Sequence, residues 1–203
     1  SELIIRMASP RLYYVWSPLT TYVNYPATNV IHGIGGEARF QINSIGCRGD
    51  ELSESNRIRI LVVGGSSTEC LYLDTAKSWP YLIQKNLAGT LAGTNAWIGS
   101  IGRSGHSTRN HAIALDKLLG QYPKMDFVLL MTGVNDTLVR LSGGDSFKTL
   151  SKESDQYRRQ LRANTFSIVP ANDLHGGLLL FSSIKTYLLN AFNPPEKELF
   201  YQD

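Results

Sequence analysis

From residue 57 onward, short apolar runs alternate with polar, glycine-bearing breaks. Ile58, Ile60, Leu61, Val62 and Val63 form a mostly β-branched run that stops at Gly64-Gly65. So short and continuous an apolar run reads as a buried strand. Trp79, Leu82, Ile83 and Leu87 recur at helical spacing and predict a helix over roughly 78–87. A second strand follows over about 96–101. The next helix, over about 108–122, has Ile113, Leu115, Leu118 and Leu119 facing inward. The clearest strand covers about 126–131, buried like the first, with Gly133 just beyond it. Three strand–loop–helix units in succession predict parallel strands joined by right-handed crossovers.

Outside this stretch the rhythm is weaker. Residues 1–50 are rich in Tyr, Pro, Asn and Gly and read as an irregular arm or cap, with 51–203 as the main domain. Within the arm, residues 38–45 alternate enough for a strand, and Asn43-Ser44-Ile45-Gly46 reads as a turn. Beyond residue 136 the expectations are a polar helix over 154–162, a short strand over 166–169 and an amphipathic helix over 176–193.

Composition narrows the function classes. Twenty basic and 17 acidic residues leave a net charge of +3, too small a surplus to argue for a nucleic-acid partner. The most apolar segment, 178–192, is shorter than the ~20 residues a membrane span needs and carries Lys185. No transmembrane segment and no signal peptide is read from the chain. Cys47 and Cys70 lack the Cys/His clustering of a zinc site, so no metal is expected.

The chemistry concentrates in the loops that end the three strands, where parallel sheets place their functional groups. Ser66 follows Gly64-Gly65 and precedes a helix, which exposes its hydroxyl beside backbone N–H donors able to hold an oxyanion. The same serine with Glu69 fits a helix capping box. There is no Gly-Lys-Ser/Thr and no Gly-x-Gly-x-x-Gly, which argues against nucleotide binding. Gly105 in the second loop fits either a turn glycine or a backbone donor. Asn135 in the third fits either a helix cap or a neutral side-chain donor for developing negative charge.

Taken together, Val63-Gly64-Gly65-Ser66-Ser67-Thr68, then Gly105, then Gly133-Val134-Asn135-Asp136 resemble the ordered blocks of the SGNH (GDSL-like) serine hydrolases. Asn43-Ser44-Ile45-Gly46-Cys47-Arg48-Gly49 is similar to a lead-in found in some larger members. The resemblance spans about residues 38–140. It implies a three-layer α/β/α sandwich with a parallel sheet, flavodoxin-like in outline. It also implies Ser66 as nucleophile, and an oxyanion hole from the Ser66 and Gly105 N–H groups and the Asn135 amide. The implied reaction is hydrolysis of an ester or O-acyl group on a small molecule, lipid or glycan through an acyl-enzyme, with no cofactor.

The chain departs from the family at the base. The family's downstream Asp-x-x-His is missing; Asp173-Leu174-His175 has the wrong spacing. His106 neighbours Gly105 and is placed to line the site, His111 is expected on a helix surface and His32 on the cap surface. The expectation is therefore the front part of a longer domain, whose open sheet edge is covered by its remaining part or by a partner chain. The alternative is a catalytically silent SGNH-like subunit with a binding or structural role. Cys47 and Cys70 stand where the family more often shows an aromatic and a Gly. A Cys47–Cys70 disulfide, favouring a periplasmic or secreted location, is one reading, and two buried thiols the other. The arm's aromatics Tyr13, Tyr14, Trp16, Tyr22 and Tyr25 are expected to pack the arm down rather than stack on sugars.

Overall fold

The computed structural model describes residues 12–29, 32–90, 95–143 and 161–170. Nearly all of these belong to one compact unit, Tyr13–Ile168; a second unit, Ser1–Leu12 with Val169–Asp203, lies almost wholly outside the described residues. The helix expected over 176–193 also lies outside them. Of the one expected over 154–162, only the last two residues are described, in a helical stretch over 161–165.

The centre is a parallel sheet of three strands, β3 (Ile58–Gly64), β4 (Ala96–Ser100) and β5 (Phe127–Met131), in the order β4-β3-β5. Ile58 pairs with Ala96 on one side of β3, and Gly64 pairs with Met131 on the other. A smaller antiparallel pair, β1 (Thr21–Asn24) and β2 (Ala38–Gln41), precedes it. Between the parallel strands run α1 (Ser66–Glu69), a 3-10 turn at Thr75–Lys77, α2 (Trp79–Thr90) and α3 (Thr108–Leu118); α4 (Val134–Gly143) follows β5. The chain leaves β3 toward β4, then jumps back across β3 to β5. Two right-handed crossovers in opposite directions put their helices on opposite faces, which makes the fold a three-layer α/β/α sandwich. This is the fold class expected. The order of strands reverses at β3, so the switch-point crevice lies between the carboxyl ends of β3 and β5.

The core gathers on β3 and β4: Leu61, Val62, Val63, Trp97 and Ile98 are fully buried, joined by Leu118 from α3. Of the residues the spacing turns inward, Leu118 is fully buried, but several others are not, and polar residues take their places. On α2, Gln84 is buried and takes the Ile98 N–H at 2.7 Å, while Leu82 and Ile83 are exposed. On α3, Asn110, His111, Ala114 and Leu118 are buried, and Leu119 faces out. The helix face here is chosen by polar groups that complete hydrogen bonds to the sheet and loops, a preference apolar spacing does not register.

β5 is the larger correction. It was expected buried, yet all five residues are 37–62% exposed. No described element pairs with its outer edge. In the arm, the strand over 38–45 ends early at Gln41, because Asn43 turns the chain: its Oδ1 accepts from the N–H groups of Ile45 and Cys47. Trp16 and Tyr13 pack the arm down, Trp16 by donating from Nε1 to the Gly102 carbonyl at 3.0 Å, while Tyr22 is exposed. Trp16 sits 5.0 Å from Phe40, and Tyr13 lies 4.9 Å from Phe166, ring centre to ring centre. Tyr14 bridges Ile168, whereas Tyr25 stays exposed.

Candidate functional site

Three loops meet at the carboxyl edge of the sheet. The first follows β3. Gly64 lets it turn: a Cβ there would overlap the Thr68 side chain and lie 2.8 Å from the Met131 carbonyl. Gly65 is the N-cap of α1 and Ser66 its first residue. Ser66 is exposed, and among the described residues its hydroxyl has no hydrogen-bond partner. The capping-box reading of Ser66 with Glu69 is thereby displaced. Glu69, 4% exposed, turns to the second loop and accepts from the backbone N–H of Ser104 at 2.7 Å and from its hydroxyl.

The second loop follows β4 and runs on beside β3, with Ile101 N–H donating to the Val62 carbonyl and Arg103 N–H to that of Gly64. Its close approach to α1 depends on Gly102, where a Cβ would lie 2.6 Å from the Glu69 nitrogen. Sequence reading passed over this residue. Gly105 has a different duty: its φ of +75° needs glycine, while open space surrounds it. Gly105 is exposed, and its N–H has no acceptor among the described residues.

The third loop follows β5. Asn135 donates from Nδ2 to the His106 carbonyl at 2.8 Å. The same nitrogen lies 2.9 Å from where a Gly65 Cβ would be. Only one of its two hydrogens is spent on His106; the other has no acceptor among the described residues. Asn135 does not cap α4 through its side chain. The loop residues predicted as a site, Ser66, Gly105 and Asn135, thus lie on three segments tied to one another by these contacts.

Among the described residues the histidines do not complete a dyad with Ser66. His106 is buried, and its Nε2 donates to the Asn164 carbonyl at 3.3 Å. Burial pushes its pKa down to about 4, helped by the nearby Arg103 and His111 charges and opposed by the Asn164 carbonyl. His111 is buried as well, correcting its expected surface position; its Nδ1 meets the Thr132 hydroxyl at 3.1 Å. Burial lowers its pKa, against the Gly64 backbone and the Asp136 charge. His32 is exposed, as expected, and His175 lies outside the described residues. Among the described residues no histidine bonds to Ser66, and no group of His, Cys, Asp and Glu is arranged to hold a metal ion.

The lead-in motif buries Arg48 behind α1. The guanidinium stacks 4.3 Å from the Phe40 ring and donates to the carbonyls of Glu69, Cys70 and Leu73 and to the Thr75 hydroxyl. A cation at the carboxyl end of α1 complements its unpaired carbonyls. Burial lowers its pKa to about 10, with the Cys70, Asp74 and Glu69 charges opposing. Cys47 and Cys70 are free thiols, which corrects the disulfide and removes its bearing on location. Cys47 points to the Tyr122 hydroxyl at 3.6 Å, and Cys70 to the Ser67 carbonyl at 3.1 Å. A polar cleft of about 250 Å³ at the opposite, amino edge of the sheet is lined by Asp50, Gln84, Lys85 and Trp97. Its side chains bond one another, Gln84 to Asp50 at 2.8 Å.

No protein-family pattern and no curated protein matches the sequence. Solved structures do: its structural neighbours are esterases. AlinE4, an esterase of the SGNH-hydrolase family, is 20% identical with a TM-score of 0.37, over 75% of this chain and 86% of that one. A serine-to-alanine and an aspartate-to-alanine variant of the same esterase are 22% and 24% identical, with TM-scores of 0.36 and 0.37, each over 70% of this chain and 75% of that one. These are what the chain is similar to; its fold rests on its own strand order and pairing. No described helix is long and apolar enough to cross a membrane.

Proposed function

We propose that the chain carries the nucleophile and oxyanion hole of a serine ester hydrolase of the SGNH type. The observation that carries this reading is the position of the Asn135 amide. It lies against Gly65, the residue before Ser66, with one N–H left over, while the free N–H of Gly105 comes from the loop that Asn135 holds.

In this reading Ser66 Oγ attacks the carbonyl carbon of an ester or O-acyl group. The carbonyl oxygen becomes an oxyanion, received by the N–H groups of Ser66 and Gly105 and by Asn135 Nδ2. All three donors are neutral and fixed before the substrate arrives, so little reorganisation opposes the charge that develops. The alcohol leaves, and water hydrolyses the acyl-enzyme. A serine hydroxyl needs a base to lose its proton. His106 and His111 are turned away from that task by their own hydrogen bonds, so the base comes from residues other than those described. The substrate is an O-acylated small molecule, lipid or glycan, reached from solvent because Ser66 and Gly105 are both exposed.

The test is hydrolysis of p-nitrophenyl acetate by the full chain. Ser66→Ala is expected to reduce the rate to the solvent background. Asn135→Ala is expected to lower kcat by about 10²–10³-fold with little change in KM, the usual cost of one oxyanion donor. Equal rates for the unaltered chain and Ser66→Ala would contradict the reading and favour a silent subunit.

A further inference from the structure

Gly105 is framed by two carboxylates. Ser104, just before it, gives both its N–H and its hydroxyl to Glu69 Oε2. Thr108, three residues after it, gives its N–H at 2.9 Å and its hydroxyl at 2.8 Å to Asp136 Oδ2. Between these ties, the His106 carbonyl takes the Asn135 amide. Glu69 is the last residue of α1, the helix that Ser66 begins, and Asp136 is the neighbour of Asn135. The second loop is thereby bound to the first through one carboxylate and to the third through the other.

Sterics alone do not fix the Gly105 peptide. Nothing lies within 4 Å of the place a Cβ would take, and a glycine at φ +75° has wide freedom. Its N–H direction is set by the bonds on either side. Both are charge-assisted and bind the backbone and the hydroxyl of one residue together, which makes them short and directional. Burying Glu69 is costly unless its oxygens are well used. A helix cap would not require it, since Gly65 already occupies the cap.

The Asp136 tie extends inward. With the Thr108 hydroxyl donating to Asp136, the Thr132 hydroxyl donates to Thr108 at 3.0 Å, and His111 Nδ1–H donates to Thr132. The order of donors runs one way, from a neutral buried imidazole to an exposed-side carboxylate, and it locks the rotamers of both threonines.

We propose that Glu69 and Asp136 are positioning residues, a pair of carboxylate clamps that hold the Gly105 N–H in register with Ser66 and Asn135. Neither touches the ester. The inference rests on the hydrolase reading above and adds to it the groups that preorganise the oxyanion hole.

The experiment is steady-state hydrolysis of p-nitrophenyl acetate by the full chain, with folding followed by circular dichroism. Glu69→Ala and Asp136→Ala are each expected to lower kcat by about 10- to 100-fold, the cost of a donor misplaced by a fraction of an ångström to an ångström. KM is expected to stay within about twofold, since the clamps act on the transition-state oxyanion. Glu69→Gln and Asp136→Asn keep an acceptor for the N–H and are expected to recover most of the lost kcat. Should Glu69→Ala fail to fold, Ser104→Ala removes only the hydroxyl partner and is expected to lower kcat about threefold to tenfold at unchanged KM. Unchanged kcat in folded variants, or a loss confined to KM, overturns the clamps while leaving the hydrolase reading intact. No Ser66-dependent hydrolysis by the unaltered chain removes that reading, and the clamps fall with it.

Discussion

Ser66 owes its free hydroxyl to a shift of one residue. Gly65 takes the cap, so the serine begins α1 with its side chain unspent, and Glu69 is released to hold Ser104. The neighbouring His106 has the opposite character, buried and committed to Asn164. Its pKa is about 4 in the fold against an ordinary 6.5. A depressed histidine pKa means that the unfolded chain binds the extra proton between these values. The stabilisation is therefore complete above about pH 6.5 and is lost as pH falls toward 4. Its size is on the order of 3 kcal/mol, and His111 acts in the same direction. Urea unfolding at about pH 7.5 and 4.5 checks this: the loss of stability is expected to shrink in His106→Gln, and an equal loss in both proteins would contradict it. The proposed trio Ser66, Gly105 and Asn135 was picked out in sequence because each lies in a glycine-bearing loop that follows a strand. The ties that hold them were not. Glu69 reaches a partner 35 positions away and Asp136 one 28 away, and no local pattern marks such pairs.

Among the elements, the turn after β3 is the tightest. Gly64 and Gly105 are needed for different reasons. At Gly64 the obstacle is contact with Thr68 and Met131; at Gly105 it is the positive φ alone. Gly64→Ala is therefore expected to cost about 2–3 kcal/mol through overpacking, and Gly105→Ala about 1 kcal/mol through backbone strain. Chemical denaturation of the two variants distinguishes them, and a larger cost at Gly105 would contradict the assignment. The position after Glu69 shows the same logic in reverse. Cys70 adopts φ +50° as the cap that ends α1, a conformation glycine takes at less cost. β3, β4, β5, α2 and α3 were readable from the sequence pattern to within a few residues, whereas β1 and α4 were not. The inward faces were not, because Gln84, Asn110 and His111 are buried for the hydrogen bonds they make rather than for their hydrophobicity.

Across the whole molecule, strand order decides where chemistry gathers. Three successive strand–loop–helix units suffice to read a parallel sheet from sequence, but the order β4-β3-β5 is set by tertiary packing. That order brings the loops after β3 and β5 side by side at the switch point, which is where Ser66 and Asn135 lie. The burial of β5 was misread because a fully apolar strand looks the same at the centre of a sheet and at its edge. Among the described residues its outer edge has no partner strand, and Leu138 and Leu141 of α4 are exposed. The central claim is nonetheless local, that Ser66 is a nucleophile backed by preset donors. A fluorophosphonate added to the native chain, followed by intact mass and peptide mapping, tests it most directly. The account predicts a single adduct, on Ser66, that is lost in Ser66→Ala and on prior unfolding. A folded chain that takes no label, or takes it at another residue, would contradict it.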